Sequence, residues 1–270
     1  MENNISTSLL ITTYNSPKFL DLVFRSIMKQ TVMPDEVVIG DDGSKKETKD
    51  IIDSYRDKLP CKIKHVWQED NGFQRCRILN KAIAQVTSDY ILQVDGDIIM
   101  HPKFVEDHIS AAKPRQFVCG NRSFVRKNKT SRLIDKPDKL SFNILDIKKR
   151  KRFFRIPCLS PFYRNKRSNT SRKGNVGCNM AYWKEDIVKI NGYNEGFVGW
   201  GYEDIEMVER LMNSGVRKTT LLFMAVEYHL YHPKSSRASS IKNKKMYYDC
   251  KNLSLSFCEN GINKYIDTIQ

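Results

Sequence analysis

Residues 90–97 read Tyr-Ile-Leu-Gln-Val-Asp-Gly-Asp, an apolar run of strand-forming residues that stops at two carboxylates on a turn held open by a glycine. Open α/β sheets bind ligands outside the carboxyl ends of their strands, so acids at that position are placed for chemistry. The pattern recurs upstream. Strands are predicted at Ser8–Thr13, Glu36–Gly40, Lys62–Trp67 and Tyr90–Val94, and each ends in polar residues: TYN, DDGS, QEDNG and DGD in turn. Amphipathic segments near Pro17–Gln30, Lys45–Lys58, Gln74–Gln85 and Pro102–Ala112 predict the intervening helices. Such alternation is the mark of βαβ units around a mostly parallel sheet. The fold class is therefore α/β, with a nucleotide-binding half over residues 1–112 and four polar clusters meeting on one rim.

Beyond that half the pattern breaks. Of 46 Lys+Arg and 31 Asp+Glu, 20 basic and 3 acidic residues fall within 113–173, which leaves 26 against 28 elsewhere. That basic segment, with IKKRKRFFRIP and FYRNKR, is too irregular to assign to elements; it reads as a loop or a membrane-surface element meeting something anionic, or as a solvated lysine-rich loop. Regular structure resumes over 174–270: NVGCNMAYW, a loop NGYNEGFVGWGYED, a helix IEMVERLMNSG whose last glycine is a C-cap, and an apolar run TTLLFMAVEYH that reads as one late strand.

The chain is 270 residues long and 40% hydrophobic, enough to fold without staples. Its seven cysteines form an odd set with no C-x-x-C pair, which fits a reduced cytoplasmic setting. MENNISTSLLITTYN has no basic region before its short apolar run, and no stretch reaches the roughly 18 apolar residues of a membrane span. The expected place is the cytoplasm, with peripheral attachment to the inner face of the membrane through the basic segment.

Four clusters carry chemistry. Asp95 and Asp97 could hold Mn²⁺ or Mg²⁺, which favour oxygen ligands and bridge nucleotide phosphates, or could belong to an ordinary turn. Asp41 and Asp42 could accept hydrogen bonds from a base or ribose, or cap the next helix. Trp200, between two glycines, could stack on a sugar face beside Glu203 and Asp204, one of which could act as a general base; acids in a first helical turn also simply complement the dipole. His229 and His232 are candidate metal ligands or structural histidines.

Taken in order, ITTYN, VVIGDDGS, NGFQRCRILNKAI, LQVDGD, GCNMAYW, GWGYED and HLYHP resemble glycosyltransferase family 2, and the latter half is similar to the C-terminal module of β-1,4-galactosyltransferases and chondroitin-type polymerases. The resemblance spans about Leu9 to Pro233. It implies a GT-A fold, a UDP-sugar donor, a divalent metal, and a glycan or lipid-linked glycan acceptor in bacterial surface polysaccharide or lipopolysaccharide synthesis. By position, Thr13, Tyr14 and Asp42 would contact the nucleoside, and Arg77 and Asn80 the ribose or diphosphate. Asp95 and Asp97 match the D-x-D, with Asp97 the direct metal ligand, joined by His232 and, as second candidate, His229. Asp204 would be the base of an inverting displacement, with Glu203 and Trp200 positioning the acceptor. Tyr202 departs from the GWGGED of related galactosyltransferases.

A sugar nucleotidyltransferase would need a Gly-rich basic triphosphate loop where TTYNSPKF stands, and a nucleic-acid-binding protein would leave DGD, GWGYED and HLYHP unexplained. No specific nucleic acid is expected.

Overall fold

The computed structural model describes residues 5–148, 152–161, 177–233 and 240–266. In chain order these hold β1 (Thr7–Thr13), α1 (Pro17–Ile27), β2 (Glu36–Asp41), α2 (Lys46–Ser54), β3 (Lys62–Trp67), α3 (Arg75–Gln85), β4 (Tyr90–Asp95), β5 (Ile98–Met100), α4 (Phe104–Ala111), β6 (Gln116–Cys119), β7 (Asn121–Phe124) and α5 (Lys127–Asp135). There follow β8 (Met180–Trp183), α6 (Lys184–Lys189), α7 (Glu203–Asn213), β9 (Arg217–Thr220), β10 (Val226–His229), α8 (Ser240–Asn252) and α9 (Asn263–Ile266).

Among the described residues seven strands form one sheet, in the order β3-β2-β1-β4-β8-β6-β9, and three form a second, β5-β10-β7. Strands β1 to β4 run parallel, and β8 is antiparallel to both its neighbours. Alternate residues of the central strands feed two cores: Leu9, Ile11, Val37 and Ile39 on one face, Leu10, Val38 and Ile91 on the other. Helix α1 covers the first face with Leu20, Val23, Phe24 and Ile27, and α3 covers the second with Cys76, Leu79, Ala82 and Ile83, both at helical spacing. This is the GT-A arrangement, a mostly parallel sheet between helices. Strand β8, from the C-terminal part of the chain, lies between β4 and β6, so the late segment is built into the same sheet as the early one.

Two expectations need correction. The run TTLLFMAVEYH is not one strand: β9 ends in the large sheet and β10 begins in the small one. The reversal between them uses Phe223 and Ala225 in the left-handed region, at φ 61° and 47°, so neither Gly nor Pro marks the turn. The basic segment is also more regular than its sequence suggests. Strand β7 pairs in parallel with β10, α5 follows it, and Asn143 and Asp146 close a reciprocal capping box. Residues 149–151 and 162–173 of that segment lie outside the described residues. Among the described residues no helix is long and apolar enough to cross a membrane.

Candidate functional site

The DGD turn is fixed by close approach. Thr12 and Asp95 are register partners on β1 and β4, and Thr12 Oγ1 donates to Asp95 Oδ1 at 3.1 Å. Gly96 N–H donates to the Thr12 carbonyl at 2.7 Å, and a Cβ at position 96 would lie 2.8 Å from that same oxygen. Glycine is required there by space. Strand β5 then pairs Ile98 with His229 of β10, which brings the histidine to the next residue, Asp97. Asp97 Oδ2 lies 3.4 Å from His229 Nε2 and 3.0 Å from His232 Nε2.

These three groups put their ligand atoms within 4.8 Å of one another. The Nδ1 atoms of His229 and His232 sit 2.7 and 2.6 Å from the carbonyls of Leu230 and Pro233. Those contacts place a proton on each Nδ1 and turn both Nε2 atoms toward the carboxylate, as in a metal site with its outer hydrogen bonds in place. Asp97 Oδ1 is buried with no hydrogen-bond partner among the described residues, an expensive state for a carboxylate oxygen unless a cation satisfies it. Two imidazoles and one carboxylate fit a transition-metal dication such as Mn²⁺ better than Mg²⁺, which favours oxygen alone. Burial lowers the pKa of His229, while the hydrogen bond to Asp97 raises that of His232.

A second cluster is centred on Arg75. Its Nη2 donates to Asp95 Oδ1 and its Nη1 to Asp204 Oδ1, both at 2.9 Å, with Glu203 Oε1 3.9 Å away. Burial disfavours the guanidinium's charge, but Asp204 and Asp95 outweigh it and hold Arg75 firmly protonated. Burial, and then the Asp204 charge, push the Glu203 carboxyl up to about 7; its Oε2 accepts from Gly201 N–H at 2.8 Å. Asp204 also accepts from Tyr193 Oη at 3.3 Å, and a Cβ on Gly177 would fall 2.2 Å from Asp204 Oδ2. Behind it lies a buried polar network: Gln93 accepts from Tyr182 Oη at 2.6 Å and donates to Tyr193 Oη at 2.9 Å. Arg75, Gln93, Tyr182 and Tyr193 were not foreseen, although a glutamine inside the apolar run YILQV was a signal.

The remaining residues divide. Tyr14 is exposed and donates to Asp70 Oδ2 at 2.9 Å, which raises its pKa. Thr13 is buried against the DGD turn, with its Oγ1 lacking a hydrogen-bond partner among the described residues. Asp42 accepts from Gln68 Nε2 at 2.6 Å and from the Gln74 N–H at 2.9 Å, so it anchors the start of α3 at the same rim; burial raises its pKa. Asp41 is structural: it accepts from Ser44 N–H and contacts His65 Nε2 at 2.9 Å. Trp200 is 43% exposed on its loop.

Two donor-contact expectations do not fit the structure. Asn80 is fully buried, donating to the Tyr193 carbonyl and Glu195 Oε1 and accepting from Tyr193 N–H, so its amide holds the interior together and faces no cleft. Arg77 is exposed beside Tyr265 and Lys81. Two residues of helix subtend about 200°, so Arg75 and Arg77 point to opposite sides and only Arg75 meets the carboxylates. Arg122 of β7 stands on the metal-ligand side instead. Its Nη1 donates to Cys178 Sγ at 3.5 Å, its guanidinium lies 4.8 Å from the Phe124 ring centre, and its charge is felt by Asp95 and His229.

Comparison with known proteins gives the following. The family Glycosyl transferase family 2 matches residues 8–185, and the N-terminal domain of galactosyltransferase matches residues 160–233. Chondroitin synthase of Pasteurella multocida (strain Pm70) is 28% identical over 240 residues, covering 80% of this chain and 24% of its own length. Hyaluronan synthase of Pasteurella multocida is 27% identical over 229 residues, 78% and 23% respectively. The chain thus spans about a quarter of these relatives. Among solved structures, S. aureus TarS 1–349 in complex with UDP superposes with a TM-score of 0.64 at 17% identity, covering 97% of this chain and 70% of that one. A mannosyltransferase from Pyrobaculum calidifontis in complex with GDP-Man and Mn²⁺ gives 0.60 at 15% identity, 92% and 63%. At these identities the likeness concerns the fold.

Proposed function

Because the chain belongs to glycosyl transferase family 2, we propose that it is an inverting, metal-dependent hexosyltransferase taking a sugar from a UDP-sugar and adding it to a glycan or lipid-linked glycan of a bacterial surface polysaccharide or lipopolysaccharide. One observation carries the reading: a single guanidinium, Arg75, joins Asp95 of the D-x-D to Asp204 at the start of α7, so donor-side and acceptor-side carboxylates share one site. The UDP and GDP-Man complexes of the structural relatives support a nucleotide-sugar donor.

Asp204 Oδ2 takes the proton of the acceptor hydroxyl as the hydroxyl oxygen forms its bond to the anomeric carbon. The bond from that carbon to the diphosphate breaks on the opposite face, and UDP leaves with the electron pair. No enzyme nucleophile takes part. When bound by Asp97, His229 and His232, a divalent ion supplies positive charge beside the departing diphosphate. Arg122, whose charge is felt at Asp95 and His229, offsets charge on the departing diphosphate. Arg75 pairs with both acids and keeps Asp95 ionised, Glu203 and Trp200 line the acceptor side, and Thr13, Tyr14 and Asp42 line the nucleoside side.

We place the protein in the reduced cytoplasm, supported by seven free cysteines. The basic segment supports peripheral attraction to anionic lipid, at about 1 kcal/mol per Lys or Arg near the surface. The test of the base is Asp204→Asn, followed by UDP titration and by UDP release from a panel of UDP-sugars with glycan acceptors. Donor binding should persist while turnover falls about 100-fold or more; near-normal turnover would remove Asp204 from the role.

A further inference from the structure

Two exposed lysines of the basic segment share one aromatic ring. Lys127 and Lys148 are both exposed, and their ammonium groups lie 6.0 and 5.2 Å from the centre of the Tyr231 ring. Arg126, also exposed, adjoins Lys127 at the start of α5. Tyr231 sits between the two candidate metal ligands His229 and His232 in sequence. Its N–H donates to Thr130 Oγ1 of α5 at 2.9 Å. Lys148 N–H donates to the Phe124 carbonyl at 2.9 Å, and the Phe124 ring lies 5.5 Å from that of His229. Val125 and Ile147 close the frame with a β-bridge. Ring, lysines and histidines therefore stand on one hydrogen-bonded scaffold of β7, β10 and α5.

The arrangement is not explained by stability. An exposed cation–π contact contributes about 0.5–1 kcal/mol, and two like charges drawn to one ring repel each other. The groups do match a ligand of definite chemistry. A tyrosine ring gives an apolar face on which a sugar can stack, and flanking ammonium groups make charge-assisted hydrogen bonds to carboxylate or phosphate oxygens. A neutral glycan would use the ring and leave both amines idle. A lipid surface would use the amines and has no need of a ring beside the metal ligands.

We propose that Tyr231, Lys127 and Lys148 form an acceptor subsite for an anionic glycan, one carrying a carboxylate or phosphodiester close to the unit being extended. The inference rests on the glycosyltransferase reading of the adjoining Asp97, His229 and His232 cluster. Specificity then comes from the basic segment: the amines select anionic acceptors and steer them toward the site, and Tyr231 sets their register.

Three fluorescent oligomers test this by anisotropy on the full chain: a chondroitin-backbone hexasaccharide, a glycerol-phosphate hexamer and neutral maltohexaose. UDP is titrated in parallel with Mn²⁺. At least one anionic probe should bind roughly tenfold or more tightly than maltohexaose, and the difference should shrink with added salt. The double variant Lys127→Glu, Lys148→Glu should lose that preference with unfolding temperature and UDP binding unchanged; Tyr231→Phe should keep the affinity and Tyr231→Ala weaken it. Which anionic probe wins separates carboxylate from phosphodiester. The subsite is refuted if neither anionic probe outcompetes maltohexaose, or if the double variant keeps its preference. It is equally refuted if the double variant loses only its binding to phosphatidylglycerol vesicles, which would assign the lysines to a membrane. UDP binding with no anion preference refutes the subsite alone. Lysine-dependent anion binding without UDP binding refutes the transferase reading, and the acceptor role with it.

Discussion

Replacing Arg75 with alanine would take away the cation held between Asp95 and Asp204 and leave three acids facing one another. The side chain of Arg75 is 12% exposed, that of Asp95 31% and that of Asp204 21%, so the cluster is mostly shielded from water. Deleting one partner of a buried ion pair costs about 3–5 kcal/mol, and the partial exposure of both acids puts the expected loss near the lower end. In a chain of this size that corresponds to a fall in Tm of about 6–12 °C. The loss should depend on pH through Glu203, whose carboxyl is already raised to about 7 by burial and the Asp204 charge, with Arg75 pulling it down. A carboxyl raised in the folded state stabilises fully below its unfolded value of 4.5, and that contribution is lost as pH rises through about 7. Without Arg75 the carboxyl rises further, so Arg75→Ala should be clearly less stable than the parent at pH 8 and closer to it at pH 5. Thermal unfolding at both pH values, with Arg77→Ala as an exposed control, gives the answer. A deficit at pH 8 within about 0.5 kcal/mol of zero, the usual range for surface changes, would refute the assignment of Arg75 as the charge that holds the site together.

Glu203→Gln removes the buried charge but keeps an acceptor for Gly201 N–H, so it should raise Tm at pH 8 and leave it unchanged at pH 5; equal effects at both would show that Glu203 does not titrate between them. Tyr202 occupies the left-handed region at φ 72°, and its ring lies 5.8 Å from Tyr247 of α8. Tyr202→Ala keeps the strain and loses the ring contact, whereas Tyr202→Gly loses the contact and releases the strain, so the alanine variant should be the less stable by about 1 kcal/mol in denaturant titration. Equal stabilities would mean that the φ costs nothing. Gly96→Ala pushes a Cβ toward the Thr12 carbonyl and should weaken Mn²⁺-dependent UDP binding by roughly tenfold or more, since displacing ligands by about an ångström is enough to spoil a site; unchanged affinity would show that the turn can give.

The parts of this molecule readable in its sequence are those set by contiguous residues. The strands β1 to β4 were legible because each is a short run rich in strand-forming residues closed by polar punctuation, and the D-x-D because it follows an apolar run at once. The pairing of Asp97 with His229 and His232 could be suspected from residue type; its cause, the antiparallel register of β5 on β10, is a long-range fact with no local trace. The choice between Arg75 and Arg77 turns on helix phase. Arg75 has Ile78 and Leu79 at i+3 and i+4, both buried, whereas Arg77 has Lys81 at i+4, so the periodicity did hold the answer. Asn80 misled for the same reason, as a polar residue on a buried face. The β9 to β10 reversal left no mark, because its left-handed positions are Phe223 and Ala225 and not glycine. Order in the basic segment escaped notice because β7 and α5 are held by contacts with Tyr231, His229 and Phe142, distant in the chain or too short-lived in pattern to read.

The central claim is that Asp97, His229 and His232 hold the ion through which a nucleotide-sugar donor binds. Calorimetric titration of UDP into the full chain, with Mn²⁺ and then with EDTA, on the parent, Asp97→Ala and His232→Ala, addresses it directly. Binding should appear only with Mn²⁺ and be lost or weakened by roughly tenfold or more in both variants. UDP binding of equal strength in EDTA, or undiminished in Asp97→Ala, would contradict it.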